Sequence, residues 1–127
     1  MPKILPWVAV VDDEEPIRRA LLRLLRSSGI RARAFASGTD FLASLPTSKP
    51  YCVVLDLNMP EISGFDVLLS LKQSSPQIGV VVITGHHSAD IQARAMLAKP
   101  LAYLRKPMND QILIDAIGLA FSQVCQS

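Results

Sequence analysis

What this 127-residue chain lacks narrows its function as sharply as what it holds. It has only two cysteines, Cys52 and Cys125, with no second pair and no CxxC spacing. That leaves no disulfide framework, and a reduced, cytoplasmic setting is the simplest home. Cys52 lies inside an apolar, strand-like run and reads as a small core residue. No apolar run approaches the ~18 residues that a membrane span needs. The opening Met-Pro-Lys-Ile-Leu-Pro-Trp also lacks the apolar stretch and small-residue cleavage site of a signal peptide. Excess charge is missing too: 13 Lys+Arg stand against 11 Asp+Glu, a formal +2, which calls for neither a nucleic-acid nor a membrane partner. The arginines at 18, 19, 23, 26, 31 and 33 form a local basic run. Such runs are usually the solvated face of a helix, and less often a docking surface for an acidic partner. Internal repeats and low-complexity linkers are absent.

What is present is one domain's worth of chain, half of it apolar, with strand-like runs alternating with helix-length segments. That alternation predicts an α/β fold, a doubly wound parallel sheet with helices on both faces. Strand one is expected at about Trp7–Val11. Pro16 suits a first helical turn, and Ile17, Leu21, Leu24 and Leu25 give the stripe of a helix ending near Gly29. A short strand at Arg31–Phe35 precedes a second helix, capped by Ser37, carrying Phe41, Leu42 and Leu45 until Pro46. Strand three is Cys52–Leu55, apolar without a break, as a strand covered on both faces should be. Helix three at Gly64–Gln73, strand four at Gly79–Ile83, helix four at Ser88–Leu97 and strand five at Leu101–Leu104 follow. Asn109 caps a last helix, whose Leu113, Ala116, Ile117, Ala120, Phe121 and Val124 keep an i, i+3, i+4 rhythm.

Three of these strands end in charge: Val11 into Asp12-Asp13, Leu55 into Asp56, and Leu104 into Arg105-Lys106-Pro107. Ligands of open α/β sheets bind at the carboxyl edge, so neighbouring strands would gather three carboxylates and an ammonium in one crevice. A like-charge pair at ~4 Å costs roughly 4 kcal/mol at an effective dielectric of 20. Such a cluster exists at neutral pH only with a divalent cation, a proton or the lysine to relieve it.

These motifs, Val-Val-Asp-Asp-Glu-Glu, Val-Leu-Asp-Leu-Asn-Met-Pro-Glu-Ile-Ser-Gly-Phe-Asp, Val-Ile-Thr-Gly and Tyr-Leu-Arg-Lys-Pro, occur in an order and spacing that resembles the receiver domain of two-component response regulators. The resemblance runs from about Val8 to Phe121. It is similar to chemotaxis-type receivers and to receivers attached to transcription factors of the nitrogen-fixation type. It implies a flavodoxin-like (βα)5 sheet in the order 2-1-3-4-5 and a single receiver domain over residues 1–127. It also implies that Asp56 is the phosphoacceptor and that Mg²⁺ is held by Asp13, Asp56 and the backbone carbonyl of Asn58, with Asp12 acting through water. Hard oxygen ligands suit that ion, which takes few direct carboxylates. Lys106 would neutralise phosphoryl oxygens, next to a Pro107 that follows a cis bond in the family. Thr84 and Tyr103 match the switch hydroxyl and the switch aromatic. The implied partners are a histidine kinase or phosphotransfer protein and a downstream output domain or protein. The implied role is a signalling domain, not an enzyme, switching at the face of helix four, strand five and helix five. Gly64 is expected to meet a demand for positive φ.

Two features depart from the family's pattern. Lys99-Pro100 stands where a Gly-Ala pair is usual, so the loop before strand five is expected to be stiffer or differently routed. After Thr84, Gly85 leaves the pocket open, and His86-His87, without nearby carboxylates, read as loop residues rather than metal ligands. Rival readings need residues that are absent here. A haloacid dehalogenase-type phosphatase needs Asp-x-Asp after strand one, where this chain has Asp12-Asp13-Glu14. A flavin module needs a Ser/Thr/Gly-rich phosphate loop, where this chain is acidic. A pseudo-receiver used only for docking would not need the full set of Asp12, Asp13, Asp56, Thr84 and Lys106.

Overall fold

The computed structural model describes residues 6–58, 64–85, 88–107 and 109–125, the last two without their side chains. Five strands and five helices alternate: β1 Val8–Val11, α1 Glu15–Ser27, β2 Ala32–Phe35, α2 Gly38–Ser44, β3 Cys52–Asp56, α3 Gly64–Ser74, β4 Gly79–Thr84, α4 Ala89–Leu97, β5 Ala102–Arg105 and α5 Asp110–Cys125. All strand pairings are parallel, in the order β2-β1-β3-β4-β5. The expected (βα)5 architecture and strand order are therefore present, with element ends within a residue or two of those read from the sequence.

The unbroken apolar strands divide their residues between two cores, because successive side chains point to opposite sheet faces. Ala9, Val11, Val53, Leu55, Val80 and Val82 pack with Phe41, Val67, Leu68, Leu71 and Ala95 beneath α2, α3 and α4. Val8, Val10, Cys52, Val54, Val81 and Ile83 pack with Leu21, Leu25, Leu113, Ala116 and Ile117 beneath α1 and α5. Both faces are thus covered, and an alternating polar strand would have failed here. Cys52 is fully buried, and burial pushes its thiol up to about 12, in keeping with an inert core residue.

The helices start where the sequence supplies caps. Ser37 Oγ accepts from the Asp40 amide at 3.1 Å, and Ser88 Oγ from the Ile91 amide at 3.1 Å. Asn109 Oδ1 accepts from the amides of Gln111 and Ile112 at 2.8 and 3.2 Å. Pro16 lies in the first turn of α1, where its missing amide costs nothing. The basic run is mostly a solvated helix face. Arg19 pairs with Glu15 at 3.3 Å, both exposed, while Arg33 lies over the rings of Trp7 and Phe35 at 5.2 and 5.7 Å.

Three expectations need correction or restriction. Gly64 does not have positive φ; Gly29, closing α1 at φ 79°, is the glycine that does. Gly64 is required by close approach instead, since a β-carbon there would collide with the Asp56 carbonyl and Leu57 Cα. Phe121 is not core: it is 42% exposed and packs edge-on against Tyr51 at 5.4 Å. The motif residues Met59–Ser63 and His86-His87 lie outside the described residues, as does the Val124 side chain.

The Lys99-Pro100 departure takes a definite form. Lys99 closes α4 in the left-handed region at φ 52°, a position that favours glycine, and its carbonyl accepts from Lys72 Nζ at 3.1 Å. A left-handed β-carbon costs ~1–2 kcal/mol, and glycine's extra unfolded-state freedom returns part of it. Lys99→Gly is therefore expected to stabilise the fold by about 0.5–1 kcal/mol, read as a higher urea midpoint with an unchanged slope. An unchanged or lower midpoint would show that the left-handed turn carries no strain.

Candidate functional site

Register builds the site. Val11 pairs with Leu55, so Asp12 leaves β1 at the level where Asp56 ends β3. Asp56 pairs with Ile83, one residue before Thr84, and Thr84 pairs with Arg105, one residue before Lys106. The chain order reverses between β1 and β3, and the crevice of an open parallel sheet lies at that reversal.

The carboxylates do gather. One oxygen from each of Asp12, Asp13, Glu14 and Asp56 lies within 4.8 Å of the others. Asp12 and Asp56 are buried at 0% and 1% exposure, while Asp13 and Glu14 are exposed. Lys106 Nζ reaches in from the end of β5 to Asp12 Oδ2 at 3.3 Å, Asp56 Oδ2 at 3.7 Å and Glu14 Oε1 at 3.8 Å. One ammonium thus faces three carboxylates, none at short hydrogen-bond range.

The two oxygens of Asp56 have different surroundings. Oδ1 accepts from the Asn58 amide at 3.0 Å. Among the described residues the buried Oδ2 has no hydrogen-bond partner, only the Lys106 charge 3.7 Å away. Burial pushes this carboxyl up to about 6; Asp12 and Asp13 add to the rise, and the Asn58 amide and Lys106 oppose it. Four carboxylates gathered around one ammonium, a hard oxygen donor set short of positive charge, are what a small divalent cation fits. Asp12, Asp13, Glu14 and Asp56 can hold such an ion.

Thr84 is fully buried at the end of β4, and its Oγ1 accepts from Asn58 Nδ2 at 2.8 Å. Its carbonyl accepts from the Lys106 amide at 2.8 Å, which ties β5 to β4 beside the lysine. The Lys106–Pro107 peptide is cis. A β-carbon at Gly85 would meet Lys106 Cδ at 3.7 Å, an ordinary contact, so the glycine keeps this side of the crevice open without being sterically required. Tyr103 packs partly buried against the core beneath α2, α3 and α4, where burial raises its phenol pKa.

Sequence reasoning missed three contributors. Glu14 is the fourth carboxylate and a Lys106 neighbour. Arg18 Nη1 donates to the Asp12 carbonyl at 2.9 Å, pinning the acidic turn to α1. The Asn58 side chain reaches Thr84, although only its backbone had been singled out. The Asp-Asp-Glu-Glu run was a visible signal for Glu14, whereas the other two contacts depend on tertiary placement.

Known proteins resemble this chain over most of its length. The family model for the response regulator receiver domain matches residues 8–118. The transcriptional regulatory protein FixJ of Rhizobium meliloti is 36% identical over 113 residues, covering 89% of this chain and 55% of FixJ. Nodulation protein W of Bradyrhizobium diazoefficiens is 37% identical over 113 residues, covering 89% and 50%. The crystal structure of FixJ-N shares 35% identity at a TM-score of 0.83, covering 93% of this chain and 94% of that one. A CheY-like receiver domain protein from Methanospirillum hungatei JF-1 reaches a TM-score of 0.89 over 98% of this chain and 100% of its own. At 22% identity it shows the fold alone. The chain spans about half the length of the curated relatives it matches.

The raised Asp56 pKa fixes a pH signature. The native protein holds this proton up to about pH 6, while the unfolded chain releases it near 3.8. Stability linked to Asp56 is therefore greatest below the unfolded value and is lost as pH rises through about 6. In metal-free protein, Asp56→Asn is expected to be more stable than wild type at pH 7.5, on the order of 1–3 kcal/mol, with the gap closing toward pH 4. Denaturation midpoints across that range, with a carboxyl ¹³C titration of Asp56, test this. A gap that persists at pH 4, or an Asp56 midpoint near 4, would contradict the desolvated site.

Proposed function

We propose that this chain, which belongs to the response regulator receiver domain family, accepts a phosphoryl group on Asp56 from a histidine kinase or phosphotransfer protein. The observation that carries the reading is the buried Oδ2 of Asp56 at the strand-edge crevice, without a hydrogen-bond partner among the described residues and with Lys106 Nζ 3.7 Å away. A nucleophilic carboxylate has to be ionised and stripped of competing donors. Above about pH 6 Asp56 is ionised, and Oδ2 is the oxygen that no donor among the described residues occupies.

In the proposed transfer, Oδ2 attacks phosphorus and the bond from phosphorus to the donor's imidazole nitrogen breaks. The donor keeps that electron pair, and an acyl phosphate forms on Asp56. Lys106 balances the negative charge that spreads over the phosphoryl oxygens, because its ammonium already faces Oδ2. Asp13, Asp56 and the Asn58 carbonyl would hold Mg²⁺, with Asp12 through water. Bound there, the ion would screen the attacking carboxylate from the incoming phosphoryl oxygens. Glu14 is an additional donor in reach.

The new group brings about −1.5 to −2 charges, on the scale of a phosphoserine. Thr84 is the hydroxyl that answers it, and Tyr103 transmits the change to the face of α4, β5 and α5. The shift is limited by how differently the two states bind the phosphoryl group. FixJ, named as a transcriptional regulatory protein, is matched over only 55% of its length, so an output domain or protein downstream is part of the same proposal. The whole of residues 1–127 is read as the receiver itself.

Acetyl phosphate with Mg²⁺ is expected to add one labile phosphoryl group, seen as a single mass increment in wild type and none in Asp56→Asn. Equal labelling of the variant would remove Asp56 from the role. Asp13→Ala is expected to weaken Mg²⁺ binding at least tenfold while holding or raising metal-free stability, since it relieves like-charge crowding. Lower metal-free stability with intact Mg²⁺ affinity would make Asp13 a structural residue.

A further inference from the structure

We propose that Arg18 is a positioning residue for the metal centre, one that raises Mg²⁺ affinity although it brings a positive charge toward the cation. This rests on the reading of Asp12, Asp13 and Asp56 as the Mg²⁺ site. Arg18 Nη1 donates to the Asp12 carbonyl at 2.9 Å, and its backbone amide donates to the Glu14 carbonyl at 2.9 Å. One residue of α1 thus grips both ends of the acidic turn. Glu14 opens the helix without a side-chain capping bond, so the turn is not held to α1 by an ordinary cap.

The Asp12 carbonyl and the Asp13 amide share one rigid peptide plane, so a donor that fixes the carbonyl also fixes the direction in which Asp13 leaves β1. The other polar groups of Asp12 are engaged elsewhere. Its amide donates to the Phe35 carbonyl at 3.2 Å, Oδ1 accepts from the Glu14 amide at 2.9 Å, and Oδ2 faces Lys106 at 3.3 Å. Asp13 is exposed, so its aim comes from this backbone plane rather than from packing. Asp12 is fully buried, and a buried carbonyl stripped of its donor turns toward water, taking the Asp13 plane with it. The guanidinium therefore has two opposed effects: its charge repels a cation, and its bond preorganises a carboxylate that would hold one. Salt and solvent screen the charge beside the exposed Asp13 and Glu14, whereas the bond to a buried carbonyl is not screened in this way, so positioning wins.

Titration of the full chain with Mg²⁺ alone, followed by calorimetry, separates the two effects by sign. Arg18→Met keeps the apolar stem and removes both the donor and the charge. It is expected to weaken Mg²⁺ binding roughly three- to tenfold, the worth of one net hydrogen bond. Arg19→Met removes an equal charge from the same helix without touching the turn, since Arg19 pairs with Glu15 at the surface. It is expected to leave the affinity unchanged or slightly tighter. A second readout needs no metal: the Asp12 carbonyl ¹³C and Asp13 amide resonances are expected to move in Arg18→Met and to stay in Arg19→Met. Arg18→Gln is read in the same way should methionine disturb α1. Equal or tighter Mg²⁺ binding in Arg18→Met, weakening that Arg19→Met matches, or unmoved resonances would overturn the positioning role while leaving the metal site intact. A wild type that binds no Mg²⁺ overturns that site, and the positioning role with it.

Discussion

The carboxyl edge of this sheet depends on a single ammonium set among three carboxylates. Lys106 approaches Asp12, Asp56 and Glu14 at 3.3, 3.7 and 3.8 Å, distances that relieve repulsion without making a tight bond to any of them. Two of the three are almost fully buried, where the repulsion between them is least screened by water. Had the lysine reached Asp56 at 2.8 Å, its carboxyl would have been pulled into the ordinary range and Oδ2 would have been occupied. Instead, burial wins, and the carboxyl is pushed up to about 6. The site is left short of positive charge, the condition under which a cation or a proton is taken up.

Such a cluster has to be held against its own repulsion, and the sheet does this by separating packing from chemistry. Every residue of β1 and all of β3 up to Leu55 is buried and apolar, divided between two cores on opposite faces. The charges begin where the strands run out, so no core side chain has to accommodate them. Gly64 shows how tight this boundary is. Its lack of a β-carbon lets α3 start directly against the Asp56 carbonyl, which keeps the strand end close beneath the helix. Arg18 does comparable work on the other side, tying the Asp12 carbonyl to α1.

Much of this was legible from the residues, for a physical reason. Strands buried on both faces need unbroken apolar runs, and helix starts need side-chain acceptors, so both leave local signatures: Val8–Val11 and Cys52–Leu55 for the strands, Ser37 and Asn109 for the caps. The convergence of Asp12, Asp56, Thr84 and Lys106 followed from placing them all at strand ends. The left-handed turn at Lys99 was not legible, since nothing in a lysine signals φ 52°. Gly64 was misread because close approach and positive φ demand the same residue. The Asn58–Thr84 bond spans 26 positions and has no local pattern at all.

The two oxygens of Asp56 bring these strands of argument together. Oδ1 is claimed by the amide two residues on, a local bond that any residue except proline at 58 could make. Oδ2 has no donor among the described residues, and Lys106 is shared with Asp12 and Glu14. The asymmetry arises from chain geometry on one side and from charge competition on the other. Asn58 binds the first oxygen through its backbone and Thr84 through its side chain. A shift of the Asp56 carboxylate would therefore be felt, through one asparagine, at the hydroxyl that ends β4.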